Sequence, residues 1–179
     1  MKDSNTRADD LPSRIGKGMM LGAWVTGLAI LWLFFQGVVD RQQNPNPDPS
    51  LELGAAGLPQ VVLVRNRAGH YVANGTINGH PVTFLLDTGA TTVAMPLDLA
   101  RRLDLTLRPG GLSRTAGGYV ATYSTLLDSV DLGGLEARQV RASVLPDMPG
   151  REVLLGMSYL KRFEMIQTGN TLTLRHPSG

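Results

Sequence analysis

Hydrophobic and polar positions divide the chain into three regimes. Residues 18–39 carry no charged side chain and are rich in Leu, Met, Trp, Phe, Ile and Val, enough at helical rise to cross a hydrocarbon core of about 30 Å. Residues 40–58 are polar and set prolines at 45, 47 and 49, a composition that favours extended, polyproline-like chain. From residue 59 onward, short apolar runs and strict alternation are cut by Gly, Asn and Pro, which is the signature of β-strands and tight turns. The pattern therefore predicts four segments: 1–17 as an N-terminal cytoplasmic stretch, 18–39 as a transmembrane signal anchor, 40–58 as a spacer and 59–176 as a folded domain. A cleaved signal peptide would need a shorter apolar region and a small-x-small site, and Gln36-Gly37-Val38-Val39-Asp40 offers none. Arg14 and Lys17 precede the span and Arg41 alone follows it, which puts the N-terminus in the cytoplasm and the domain on the far side.

Within the domain, residues 61–64 read as a short strand. Residues 69–77 and 80–86 flank Asn78-Gly79, the pair that supplies two positive-φ positions to a tight hairpin. Pro96 precedes Leu97, Ala100 and Leu103, spaced for one or two helical turns. Pro109-Gly110-Gly111 is expected to break the chain. Residues 112–115 and 119–124 then form a second hairpin around Ala116-Gly117-Gly118, and 130–132 leads through Gly133-Gly134 into Val140, Ala142 and Val144, alternating with Arg141 and Ser143. Val153-Leu154-Leu155-Gly156 reads as a buried strand, 157–163 as a short helix, and Leu172 and Leu174 mark a last strand after a turn at Gly169-Asn170. The fold class is mostly β with one or two short helices.

Composition changes this picture little. The 179 residues leave room for one modest domain beyond the anchor. A net charge of +2 with scattered basic residues does not point to nucleic acid. Without any cysteine there are no disulfides, thiolate nucleophiles or Cys-type zinc sites. His70, His80 and His176 fall in no ligand spacing, so no metal site is expected of them.

The candidate chemistry sits at the end of the Phe84-Leu85-Leu86 run, where Asp87-Thr88-Gly89 follows. A carboxylate at the mouth of an apolar strand either caps a surface turn or is held for chemistry by surrounding donors. One carboxylate cannot both take a proton from water and give one to a leaving amine at the same instant, whereas two sharing a proton can. Asp131-Leu132-Gly133 lacks the Thr and lies on an alternating strand, so the second Asp must come from a second copy of the chain across a two-fold axis. In that geometry Thr88 can hydrogen-bond across the axis. Gly89 is free to take positive φ and lets the backbone approach the carboxylate. The glycine-rich tip at Ala116, Gly117, Gly118 and Tyr119 can fold over a bound peptide, or be an ordinary exposed hairpin.

Leu85-Leu86-Asp87-Thr88-Gly89-Ala90-Thr91, followed by Val153-Leu154-Leu155-Gly156-Met157-Ser158-Tyr159-Leu160, resembles the retropepsin-like aspartic proteases, and most of all their bacterial, single-pass membrane-anchored branch. The resemblance covers residues 58–175. It implies a closed β-barrel corresponding to one half of an acid protease, a homodimer, and hydrolysis of peptide bonds by a water activated between Asp87 of two identical subunits, without cofactor. It implies catalytic roles for Asp87, Thr88 and Gly89, substrate contacts from Ala90 and the flap residues Ala116, Gly117, Gly118 and Tyr119, and support of the loop by Leu154, Leu155 and Gly156. It places the anchor in the inner membrane and the domain in the periplasm. The branch expects Thr-Ala-Asn-Gly at the flap tip, where this chain has Gly117 in place of Asn. The terminal strand with residues 172–175 is expected to help hold the dimer. Two other readings stay open from residues alone: a peptide-binding or scaffolding module of the same fold that does not cut, and a monomeric β domain with Asp87 as a turn residue.

Overall fold

The computed structural model describes residues 10–54, 57–115 and 118–177. Two compact units divide the chain, residues 1–41 and 42–179. The first contains most of helix α1 (Asp10–Gln43). Its stretch Gly18–Gln43 has a mean hydropathy of 1.8 and is long and apolar enough to span a membrane.

The second unit is built from two sheets that share one core. A four-stranded antiparallel sheet has the order β1 (Glu52–Leu53), β2 (Pro59–Val64), β11 (Thr171–Arg175), β10 (Glu164–Thr168). Alternation explains its inner face, since Val61, Leu63, Leu172 and Leu174 are all buried. The larger sheet runs β3 (Val72–Ile77), β4 (His80–Leu86), β9 (Val153–Leu155), β5 (Val93–Pro96), β8 (Leu135–Leu145), β7 (Gly118–Leu132), β6 (Arg108–Thr115). β3 also pairs with β7 through Thr76↔Asp131 and Ile77↔Val130, which closes the strands from β3 to β7 into a barrel and leaves β6 outside the closure. Phe84, Val93, Met95, Leu127, Leu135, Val144, Leu155 and Leu160 are among the buried side chains of the core. The fold is the expected mostly β barrel, with α2 (Leu97–Arg102) and α3 (Met157–Leu160) as its short helices among the described residues.

Several elements differ from the pattern-based expectation. Pro109-Gly110-Gly111 does not end a strand but lies within β6 as a bulge, with the register shifting between Pro109 and Gly111. Gly111 takes φ +85° there, and a Cβ on Gly110 would stand 2.8 Å from the backbone of Ser124. The segments 119–124 and 130–132 are one continuous strand, β7. The last helix stops at Leu160, and β10 follows it where no strand was expected.

The largest correction concerns the spacer, because residues 44–53 pack on the domain. Asn46 is only 8% exposed. Its side-chain Nδ2 donates to Val64 O at 2.9 Å and Val72 O at 2.7 Å, and its Oδ1 accepts from Val64 N at 2.7 Å. One amide thus satisfies three backbone groups where β2 passes β3. Asn44 Nδ2 donates to Asn74 Oδ1, Pro49 lies against Gly133, and β1 pairs with β2. Proline removes backbone donors, and here side-chain amides add to the backbone contacts, among them the Asn74 N to Asn46 O bond at 3.2 Å.

Asn46→Ala leaves buried backbone groups of Val64 and Val72 unpaired, so it is expected to destabilise the domain by about 2–3 kcal/mol. Asn46→Asp, which sets a carboxylate against two carbonyl oxygens, should be at least as damaging. Denaturant midpoints of the full chain in detergent check this, and wild-type midpoints for both variants would return the segment to the spacer reading.

Candidate active site

The strands on either side of the Asp87 loop are not neighbours. β9 is inserted between β4 and β5, parallel to the first through Phe84↔Val153, Leu85↔Leu154 and Leu86↔Leu155, and antiparallel to the second at Ala94↔Leu154. Residues 87–92 must therefore arch over the end of β9. Asp87 N donates to Leu155 O at 3.2 Å, and Met157 N donates to Ala90 O at 2.8 Å, so the arch is bonded to the inserted segment at both ends. Of the predicted supports, Leu155 is buried and Leu154 half-buried. Gly156 lies against the arch itself. A Cβ there would fall on Thr92 O and stand 2.6 Å from Ala90 O, so only glycine fits.

The carboxylate of Asp87 is half-buried, and its Oδ1 accepts from Gly89 N at 2.8 Å. Ala90 N closes the turn on Asp87 O at 3.2 Å. Gly89 does not take positive φ. Its lack of a side chain matters through proximity instead, since a Cβ would lie 3.1 Å from Asp87 Oδ1. Thr88 is exposed, and its hydroxyl has no partner among the described residues. Ala90 is half-buried at the crest of the loop.

The arm formed by β6 and β7 pairs from Arg108↔Ser124 to Thr115↔Gly118. Gly118 takes φ +115° at its end and Tyr119 is exposed. Ala116 and Gly117, the predicted flap tip, lie outside the described residues. Asp131 lies in β7, paired with Thr76 and Glu136, and its Oδ1 accepts from Gly134 N at 3.1 Å in the turn that follows. Among the described residues no group of three or more His, Cys, Asp or Glu could hold a metal ion.

Three positioning side chains escaped the sequence reading. Ser158, 8% exposed, accepts from Val93 N at 2.9 Å and donates to Arg141 O at 2.7 Å. It ties the strand leaving the Asp loop to α3 and β8. Thr92 Oγ1 and Ser143 Oγ share a 2.8 Å hydrogen bond across the same region. The available signal was a lone hydroxyl inside the apolar run from Val153 to Leu160, which must find partners when buried. Behind it, Tyr159 donates to Leu135 O at 2.6 Å. Burial, with the Asp131 charge adding to it, pushes the Tyr159 hydroxyl far above its ordinary value, so it stays protonated and remains a donor.

Comparison with known proteins adds the family. A family model described as gag-polyprotein putative aspartyl protease matches residues 73–162. A retropepsin-like aspartic protease from Rickettsia conorii, known from its crystal structure, is 30% identical, with a TM-score of 0.58 over 72% of this chain and 95% of that one. An uncharacterized Sinorhizobium protein from the cobV 5' region is 30% identical over 116 residues, 62% of this chain and 49% of its own. An uncharacterized Rickettsia prowazekii protein is 29% identical over 109 residues, 59% of this chain and 46% of its own. The chain spans about half the length of the curated relatives it matches. The family match takes in the Asp87 arch, the inserted strand and the β6–β7 arm together, and on it the chain belongs to the gag-polyprotein putative aspartyl protease family, with a retropepsin-like fold.

Proposed function

We propose that this protein is a membrane-anchored aspartic endopeptidase that acts as a homodimer, with a water activated between Asp87 of one copy and Asp87 of the other. The observation that carries the reading is the arch. One Asp-Thr-Gly per chain is lifted by an inserted strand, and its carboxylate is held by the amide of Gly89 while staying partly open. Two such carboxylates brought together cannot both ionise, so they share a proton and divide the acid and base roles between them. The base takes a proton from water as it attacks the peptide carbonyl. The acid protonates the carbonyl oxygen, and the leaving amine then receives a proton as the C–N bond breaks.

In this assignment Thr88, exposed and without an internal partner, bonds to the opposite loop and fixes the distance between the acids. Gly89 and Ala90 form the floor against which the peptide lies. The β6–β7 arm with Ala116, Gly117, Gly118 and Tyr119 closes over the peptide and pairs with it as an added strand. The span at 18–39, with the N-terminus in the cytoplasm, would put the domain in the periplasm and limit its substrates to protein segments near the membrane. The substrate is a peptide or protein, and no cofactor takes part.

Asp87→Asn is expected to lower peptide cleavage by about 100-fold or more with the fold and assembly unchanged. Incubating wild type and variant with a mixed peptide library from acid to neutral pH reads this directly, and equal cleavage by both would overturn the assignment. Ser158→Ala leaves Val93 N–H and Arg141 C=O without their partner, costing about 1–3 kcal/mol. Because it loosens the arch and not the peptide contacts, kcat should fall by roughly tenfold with KM nearly constant, as expected when a small misplacement affects the transition state alone. An unchanged kcat in the folded variant would show that the arch holds its own geometry.

A further inference from the structure

Almost no free chain separates the apolar span from the folded domain. Residues 18–39 carry no charge, and Gln42 is already part of the compact unit that contains the domain. Gln42 Oε1 accepts from Arg67 Nη1 at 3.2 Å, and Gln43 O accepts from Asn66 Nδ2 at 3.0 Å. The chain is helical through Gln43, so the step from Val39 to Gln42 covers about 4.5 Å, and about 10 Å if it were fully extended. A headgroup layer is about 5–8 Å thick on each side of the hydrocarbon. With the span in a bilayer, the turn that holds Asn66 and Arg67 is therefore kept at the headgroups.

That turn, residues 65–71 between β2 and β3, reads Arg-Asn-Arg-Ala-Gly-His-Tyr and contains no acid. Its shape is fixed from within. Asn66 N donates to His70 O at 2.8 Å, Gly69 N to Asn66 O at 3.0 Å and His70 N to Asn66 Oδ1 at 2.9 Å. The guanidinium of Arg65 lies 5.3 Å from the centre of the Tyr71 ring, and its Nη2 donates to the Tyr71 hydroxyl at 3.3 Å. Arg67, Ala68, Gly69 and His70 form an exposed tip. Neither Arg65 nor Arg67 forms an ion pair among the described residues. At the other end of the turn, Leu86 N donates to Tyr71 O at 3.0 Å, one residue before Asp87.

We propose that the 65–71 turn is a lipid-contact surface, in which Arg67, backed by Arg65, binds the phosphate groups of anionic phospholipids in the bilayer that holds the span. This rests on the membrane-anchored reading and on no catalytic step. A guanidinium presents its N–H groups as a planar fork that fits phosphate oxygens, and Gln42 occupies only one of those donors on Arg67. A negatively charged headgroup layer attracts such a cation within a Debye length, and no carboxylate within the turn competes for it. A tether alone would let the domain swing about its attachment. A second contact beside the tether stops that motion, and the bond from Tyr71 to Leu86 carries the restraint to the strand that ends at Asp87. The protein segments that the Asp87 loop can reach are then those next to the membrane.

The chain has no cysteine, so a single nitroxide can be attached through Ala68→Cys at the tip of the turn, or through Leu112→Cys on β6 as the reference. The full chain is reconstituted into nanodiscs of phosphatidylcholine alone or with about one-third phosphatidylglycerol, and relaxation of the label by a neutral, water-soluble nickel chelate is measured. Relaxation at position 68 should fall about fivefold or more with phosphatidylglycerol, the effect of one arginine at an anionic surface, while position 112 stays unchanged. Raising the salt from about 0.05 M to about 0.5 M should restore most of it. Arg67→Glu should abolish the fall, and Arg67→Lys, which keeps the charge, should retain most of it. Equal relaxation in the two lipids, or a fall that Arg67→Glu leaves intact, overturns the proposal while the anchor stands. A fall already present in phosphatidylcholine alone, and only with two chains in a disc, shows a second copy covering the turn and overturns it too. A chain that enters no nanodisc removes the anchor and the proposal together. The readout requires no cleavage, so Asp87→Asn should give the same values, and loss of the protease assignment leaves the lipid contact standing.

Discussion

The structure depends on one backbone strand being threaded where a hairpin would otherwise close. β4 and β5 are joined by a short loop and would be natural neighbours, but β9 arrives from far along the chain and takes the place between them. The loop must then bridge two strand spacings, roughly 9–10 Å, and it can only do so by rising over the end of β9. Gly156 is the point of contact, with the carbonyl oxygens of Ala90 and Thr92 where a side chain would be. The half-buried Asp87 and Ala90 and the exposed Thr88 all follow from that displacement. A site raised in this way is placed by the sheet and not by loop chemistry, which is how a strand terminus can position a side chain to within a fraction of an ångström.

The arch is secured by polar side chains buried at the places where chain segments from distant parts of the sequence meet. Ser158 joins β5 to β8 through one hydroxyl, and Asn46 joins β2 to β3 through one amide. Tyr159 ties α3 to the start of β8. Each satisfies buried backbone groups, and removing Ser158 or Asn46 would leave more than one of them orphaned. In a chain without cysteine, these junctions cross-tie distant segments without any disulfide.

Local signals in the sequence were legible wherever one or two residues determine the geometry. Asn78 and Gly79 take φ +50° and +78° in the hairpin before the site, and the Asp87 loop and the β9 strand fall where the apolar runs end. Partnership was not legible. Periodicity shows that residues 153–155 are buried but not that they separate β4 from β5. Three prolines at 45, 47 and 49 predicted a spacer because they favour extended, polyproline-like chain. Asn46, flanked by two of them, docks through its side-chain amide and through a single backbone bridge to Ala73. β10 was missed because an exposed edge strand has no alternation to read: four of its five residues face solvent.

The free edges make sense together once function is considered. On the proposed reading, the arm ending in β6 and β7 must open and close over successive peptides, so a permanent neighbour on β6 would stall it. Pro109, Arg108 and the bulge keep that edge unpaired, at the expense of regularity in the strand. β10 has no such need to move, since it lies in the smaller sheet beside β11, and Arg175 has neutralised its only charge. An edge that stays regular, neutral and partly apolar in a soluble domain invites aggregation unless something covers it.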